Sequence, residues 1–468
     1  MAEIETDYLV VGAGASGMAF VDTLLSLTDA RVVLVDREAR PGGHWLHAYP
    51  FVRLHQPSAY YGVPSRRLGQ DRIDTDGMNA GFYERASSGE ISAYFGAVLD
   101  DFLASGRVTF LGSSDYRGRE GAAHRVVSLA SGDVTAVRAK RLVDATYVQS
   151  EVPSRHTPSF QVDPDAPLLP PNDLVDAEVP AGVTVVGAGK TAMDTVTWLL
   201  DEGVDPGRIR WVKPRDSWLF ERAFMQPLDL VASYMQMQGY WVRAAATATD
   251  GHDFARLLEA DGVFVRVDPA VEPGMFRGAT ISQGELAALR SVQDVVRLGR
   301  VRRLGTDCVV LEGGEVASRP GELYVDCTAR GVPTTEPRPV FDGDRVTLGY
   351  VTIGITPWSA ATVAAVEALR TDEAEKNRLC PPLVWSGRTE DLLDLAYGGM
   401  VGLTARTAER DLAAWNESCR LNPAAGAMGK GGDPAVAEGL TMLVSHVGAA
   451  FANLQARASA AVGDVGAA

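Results

Sequence analysis

Two glycine-rich turns, each set between a run of β-branched residues and a segment of helical periodicity, constrain this chain more than any other feature. In the first, Tyr8-Leu-Val-Val11 leads into Gly12-Ala13-Gly14-Ala15-Ser16-Gly17, then Met18, Val21, Leu24 and Leu25 at helical spacing, then Val32-Val-Leu-Val35. In the second, Val183-Thr-Val-Val186 leads into Gly187-Ala188-Gly189-Lys190-Thr191-Ala192, a helical stretch from Met193 to Leu200, and Ile209-Arg-Trp-Val212. Each is a βαβ unit, and the turns begin 187 − 12 = 175 residues apart. The fold class that follows is α/β, with two Rossmann-like dinucleotide-binding domains.

The residues of each turn and of its second strand end indicate which nucleotide it suits. In G-x-G-x-x-G the missing side chains let a pyrophosphate approach backbone N–H groups at the positive end of a helix. Asp36, followed by Arg37, ends the second strand of the first unit. A carboxylate there accepts hydrogen bonds from ribose hydroxyls and repels a 2′-phosphate, so the first site suits the adenosine of FAD or NAD. The second unit has the G-x-G-x-x-A variant, and its strand ends in Lys213 and Arg215. Basic groups at that place suit the 2′-phosphate of NADPH. Lys190, a long cation inside the turn, either contacts phosphate or obstructs it.

A shorter echo shows how the units are joined. Arg141-Leu-Val-Asp-Ala-Thr146 and Leu323-Tyr-Val-Asp-Cys-Thr328 both read as strands ending in Asp-small-Thr, and they bracket the second unit. Taken as two crossings, they make residues 1–150 and 326–468 one discontinuous FAD domain with a helical C-terminal part. An NADPH domain over residues 176–325 is inserted in it. Pro153 to Pro180 is the first linker. Within the insertion, residues 217–300 read as helical and carry Trp218, Phe220, Phe224, Met225, Tyr234, Met235, Met237, Tyr240 and Trp241, either as ordinary core or as a cap facing a substrate.

Composition excludes several function classes. The formal net charge of −16 disfavours a nucleic-acid partner. Cys308, Cys327, Cys380 and Cys419 form no C-x-x-C and no zinc spacing, so a disulfide scaffold, a zinc site and a dithiol redox centre are all disfavoured. His44 and His47 flank Trp45 without a carboxylate cluster, and no metal site is expected. The acidic N-terminus is unlike a secretory signal. The uncharged stretch from Val346 to Val366 is broken by Pro357, threonines and glycines, and reads as buried backbone rather than a membrane span. A cytoplasmic protein without a membrane partner is expected, and a homo-oligomer is compatible with the chain.

Two nucleotide sites of opposite charge preference imply an electron path in which NADPH reduces a held FAD, which then reduces something else. With no cysteine pair to receive the electrons, the acceptor is molecular oxygen or an organic molecule.

Gly42-Gly43-His44-Trp45, followed by Tyr49-Pro50-Phe51-Val52-Arg53, resembles the stretch after the FAD turn in class B flavin monooxygenases. That group includes N-hydroxylating, S-oxidising and Baeyer–Villiger enzymes. The order of the two units agrees, and Gly354-Ile-Thr-Pro357-Trp-Ser-Ala-Ala361 is similar to the run that returns to the flavin there. The resemblance implies non-covalent FAD, reduction by NADPH, and a C4a-(hydro)peroxyflavin that delivers one oxygen atom to a small organic substrate. It places Gly43, His44, Trp45, Arg53, His55, Gln56 and Pro357 near the flavin. Arg53 is then expected to hold negative charge on the flavin, His55 to move a proton, and Gln56 to orient flavin or substrate. His55 stands where Baeyer–Villiger enzymes have aspartate, and residues 150–182 lack their F-x-G-x-x-x-H-x-x-x-W run, which favours attack on nitrogen or sulfur over ketone insertion. Two other readings use the same fold. One is an NADPH:acceptor oxidoreductase without oxygen transfer, and the other is a flavin-binding sensor or assembly protein with a degenerate second site.

Overall fold

The computed structural model describes residues 2–179, 182–331 and 336–465; Pro180, at the end of the expected linker, and the tail beyond 465 lie outside the described residues. Strand Ala2–Val11 is central to the first sheet, whose order is Phe341–Asp342, Arg345–Thr347, Val134–Asp144, Ala2–Val11, Val32–Val35, Val108–Leu111. Val10 pairs with Leu34 on one side and Val143 on the other, both in parallel. Both faces of these strands are covered, which is why they read as unbroken apolar runs. Helices Ala15–Leu27 and Thr356–Leu369 pack together on one face, and an antiparallel ribbon of Ser114–Glu120 and Ala123–Ser128 covers the other. Every residue from Pro357 to Glu367 is buried, as expected for the uncharged stretch.

The second sheet is wholly parallel, in the order Asp294–Val296, Ile209–Val212, Gly182–Val186, Glu322–Asp326, Leu168–Leu169. The chain leaves the first sheet after Asp144 and rejoins it at Phe341. The two connecting segments run side by side, with Glu151 N donating to Arg330 O at 2.9 Å and Arg330 N to Glu151 Oε2 at 3.1 Å. The Asp-small-Thr echo is a shared local structure. Asp144 accepts from the amide and hydroxyl of Thr146, and Asp326 does the same for Thr328.

Residues 217–300 are not a helical insertion. Helices Val231–Thr247, Gly251–Ala260 and Gln283–Ser291 alternate with strands Ser217–Glu221, Phe264–Val265 and Met275–Ile281, which form a separate three-stranded sheet. Trp218 and Phe220 lie on its central strand. They face Phe264 and Phe276 across it, contacts distant in sequence that outweigh the local helical reading. Trp218, Phe220, Tyr234, Met235, Met237 and Trp241 are all buried in one core. Helix Pro434–Val465 crosses Val231–Thr247 at Gly239 and Gly439, where a Cβ on Gly439 would stand 2.5 Å from Met235 O. The part from Pro434 to Arg457 is long and apolar enough to cross a membrane by length and composition, and is the one such helix among the described residues.

Candidate functional site

The first glycine turn packs too tightly for side chains at two of its three glycines. Gly12 has φ +106°, and a Cβ on Gly17 would lie 1.9 Å from Gly12 O. Gly14 differs. It is the N-cap of helix Ala15–Leu27 with φ −77°, and an added Cβ would make only an ordinary 3.6 Å contact with Gly43 Cα. No side chain caps this helix, so the N–H groups of its first turn, including those of Ser16 and Gly17, have no side-chain acceptor at the N-cap. Asp36 closes the turn from below, accepting from Ala13 N at 2.6 Å and Glu38 N at 2.8 Å. Burial raises its pKa against these two bonds. Arg37 points to solvent, 3.8 Å from Asp115.

The stretch Gly42–Gln56 runs from this turn to the other one. Gly42 N donates to Ala13 O at 2.9 Å, and Gly43, with φ +58°, lies directly on Gly14. His44 is exposed, its ring 4.7 Å from that of Trp45, and Trp45 Nε1 donates to Tyr61 OH at 2.7 Å. His47 turns away to Glu38, 2.9 Å from its Oε1. Tyr49 OH donates to Asp194 Oδ2 at 2.8 Å, and Phe51 stacks on Trp198, both on helix Lys190–Asp201 of the second unit.

The three residues expected to be catalytic are separated by this path. Arg53 is exposed; its guanidinium donates to Arg85 O at 3.1 Å and has no acid partner among the described residues. His55 and Gln56 are half-buried, and the His55 carbonyl is held by the Thr280 hydroxyl. Burial, then the positive charge of Lys190, pushes the His55 pKa down to about 4. The imidazole is therefore neutral at physiological pH, and supplies hydrogen bonds rather than a stored proton.

The second turn repeats the first with a variation. Gly187 has φ +146°, and a Cβ there would come 2.5 Å from Cys327 O, so the second Asp-small-Thr segment closes this turn as Ala145 and Thr146 close the first. Gly189 caps helix Lys190–Asp201 without a side-chain bond, and a Cβ on it meets nothing within 4 Å. Lys190 is ion-paired with Asp194, one helical turn on, and lies 4.0 Å from Glu285. Thr191 accepts, through its carbonyl, the Thr195 hydroxyl.

The basic strand end is only half as expected. Lys213 is buried, ion-paired with Asp216 and 4.3 Å over the Trp211 ring, so it is not available to a ligand; Asp216, three residues on, has claimed it. Arg215 remains exposed. Burial and then Arg300 lower its pKa, while burial, Arg215 and Arg330 lower that of Arg277. Arg215, Arg277, Arg300 and Arg330 thus form a cationic group at this end of the second unit. Arg277, on strand Met275–Ile281 far from the turn in sequence, carried no local signal. Pro357 opens helix Thr356–Leu369 and is buried. Among the described residues no three His, Cys, Asp or Glu side chains converge as metal ligands.

Comparison with known proteins agrees with this layout. The family described as NAD(P)-binding Rossmann-like domain matches residues 10–57. The chain is 45% identical over 421 residues to the uncharacterized proteins Rv2000 of Mycobacterium tuberculosis and Mb2023 of Mycobacterium bovis, covering 90% of this chain and 78% of each relative. Among solved structures, the polycyclic ketone monooxygenase of Thermothelomyces thermophila aligns with TM-score 0.51 at 12% identity, covering 90% of this chain and 86% of that one. An oxidised steroid monooxygenase bound to NADP aligns with TM-score 0.50 at 15% identity, covering 78% and 85%. The fold is the two-domain fold of these structures.

Proposed function

We propose that this chain, which belongs to the family of the mycobacterial proteins Rv2000 and Mb2023, is an NADPH-dependent FAD monooxygenase acting on a small organic molecule. The observation that carries the reading is the Gly42–Gln56 stretch, bonded to Ala13 at one glycine turn and to Asp194 behind the other, so that ligands of the two turns adjoin on one loop.

The residues fit both cofactors. Neither Gly14 nor Gly189 is required by packing within the protein, so the reason for glycine lies in what sits against it. At the first turn, the uncapped N–H groups of Ser16 and Gly17 bind the FAD pyrophosphate, and Asp36 has lone pairs left for a ribose hydroxyl. At the second, the uncapped N–H groups after Gly189, with Thr191 among them, bind the NADPH pyrophosphate, and Arg215 and Arg277 hold the 2′-phosphate. The bound flavin supplies hydride acceptance and the delivery of electrons to oxygen. Beside it, Trp45, held by Tyr61, would be a fixed apolar wall, Gln56 and neutral His55 would offer hydrogen bonds, and Arg53, with no acid partner among the described residues, would bring positive charge. Pro357 opens a helix whose N-terminus would face the flavin.

A neutral imidazole at position 55, in place of an acid, supports oxygen transfer to an amine or sulfur over ketone insertion. Turnover of amine, thioether and ketone panels under ¹⁸O₂ tests this. One labelled oxygen per NADPH in an N- or S-oxide is expected. Reduced product without label would make the protein an NADPH:acceptor oxidoreductase instead.

A further inference from the structure

One buried carboxylate lies among three cations where the two units meet. Glu285 is 2.6 Å from Arg222 Nη2, 3.4 Å from Arg85 Nη1 and 4.0 Å from Lys190 Nζ. Arg85 belongs to the loop that pairs with Leu54 and Arg53, Arg222 to the turn after strand Ser217–Glu221, and Lys190 to the second glycine turn. The Arg222 side chain is wholly enclosed, and Nε of both Arg222 and Arg85 is buried without an acceptor. Burial alone would raise the Glu285 pKa, but Lys190, Arg222 and Arg85 outweigh it and hold the carboxyl well below its usual range. Asp194, a second anion, is shared by Lys190 and Tyr49. These three cations and two carboxylates sum to +1, with Arg53 near Arg85, Glu221 near Arg222 and Asp201 near Glu285 at the margin.

We propose that Glu285 is a positioning residue that seats the second dinucleotide unit against the first and so sets the approach of the two cofactors, an inference that rests on the function proposed above. Neutral contacts also cross this junction, such as Tyr60 OH to Met225 O at 3.0 Å, Tyr83 N to Gln226 Oε1 at 3.0 Å and Ser282 Oγ to Met78 O at 2.6 Å. They give registry but do not offset buried charge. Removing the carboxylate that ion-pairs with cations from both sides leaves like charges enclosed together, relieved by opening the junction to water. Glu285 can bear this load because its helix fixes it. It is the third residue of a capping box, with Ser282 N donating to Oε2 at 3.0 Å and Glu285 N donating to Ser282 Oγ at 3.2 Å.

Glu285→Gln separates charge from shape: with the amide oxygen in the place of Oε2 it still serves the cap and Arg222, while the amide nitrogen takes the place of Oε1 facing Arg85 and Lys190. In the ligand-free protein, backbone amides of Tyr49–Gln56 and Arg222–Gln226 should exchange hydrogen faster than in wild type. In the flavin-loaded protein without oxygen, bleaching by NADPH should slow at least about tenfold while the Kd for NADPH stays within about threefold. The double variant Glu285→Gln/Arg85→Met returns the cluster to +1 and should restore both readouts. Wild-type exchange and bleaching in Glu285→Gln, or a double variant no better than the single one, would overturn the proposal. Wild-type flavin that NADPH does not bleach would instead overturn the proposed function, leaving hydrogen exchange to decide for Glu285.

Discussion

Gly14→Ala is expected to yield a folded protein that no longer retains flavin. The backbone at Gly14 is extended, with φ −77° and ψ −176°, which alanine adopts freely, and the added Cβ meets protein only at 3.6 Å. Folding therefore tolerates the change. The methyl group would fill the space where a pyrophosphate must approach the amides of Ser16 and Gly17, and flavin affinity should fall at least about 100-fold, with the thermal midpoint of the apoprotein shifted by no more than about 2 °C. Gly17→Ala cannot make this distinction, because its Cβ would lie 1.9 Å from Gly12 O and deform the turn itself. A Gly14→Ala protein that purifies with wild-type flavin content would remove the first nucleotide site as assigned.

The second large effect concerns the choice between nicotinamide cofactors. Arg215→Ala/Arg277→Ala should raise KM for NADPH about 100-fold and change KM for NADH less than about threefold, taking each charge-assisted phosphate contact as worth about 1.5 kcal/mol. Burial and then the charge of Arg215 lower the Arg277 pKa, so an anion placed between them relieves repulsion as well as making contacts. Steady-state kinetics with both cofactors decide it. Equal losses for NADPH and NADH would show that the pair supports the fold rather than a 2′-phosphate.

Much of the framework was legible in the residues because it rests on local rules. The glycine turns, their flanking strands and the acid at position 36 belong to one short grammar, and each occupies the expected place. The Asp-small-Thr echo was visible, but its reason was not: Thr146 and Cys327 press against Gly12 and Gly187, partners more than 130 residues away. Strand Ser217–Glu221 was hidden because aromatic and methionine-rich text suits a helix as well as a strand, and only pairing with Phe264–Val265 and Met275–Ile281 decides between them.

At the site, errors arose where one side chain had two possible partners. Lys213 stands at the right strand end, yet Asp216 and Trp211 take it out of play. His55 was expected to move a proton, but burial first, and then the charges of Lys190, Arg85 and Arg222, lower its pKa and keep it neutral. Glu285 shows the same limit. Ser282 and Glu285 spell a capping box in sequence, while the cations that converge on that carboxylate come from three separate elements.

The central claim is that both turns are loaded together and work in sequence. It is tested most directly by mixing the flavin-loaded protein with NADPH without oxygen, then admitting air while recording the flavin spectrum. Bleaching followed by a transient band well to the blue of oxidised flavin, before the yellow colour returns, is the predicted result. Failure of NADPH to bleach the flavin, or bleaching with immediate return to yellow and no transient, would contradict it.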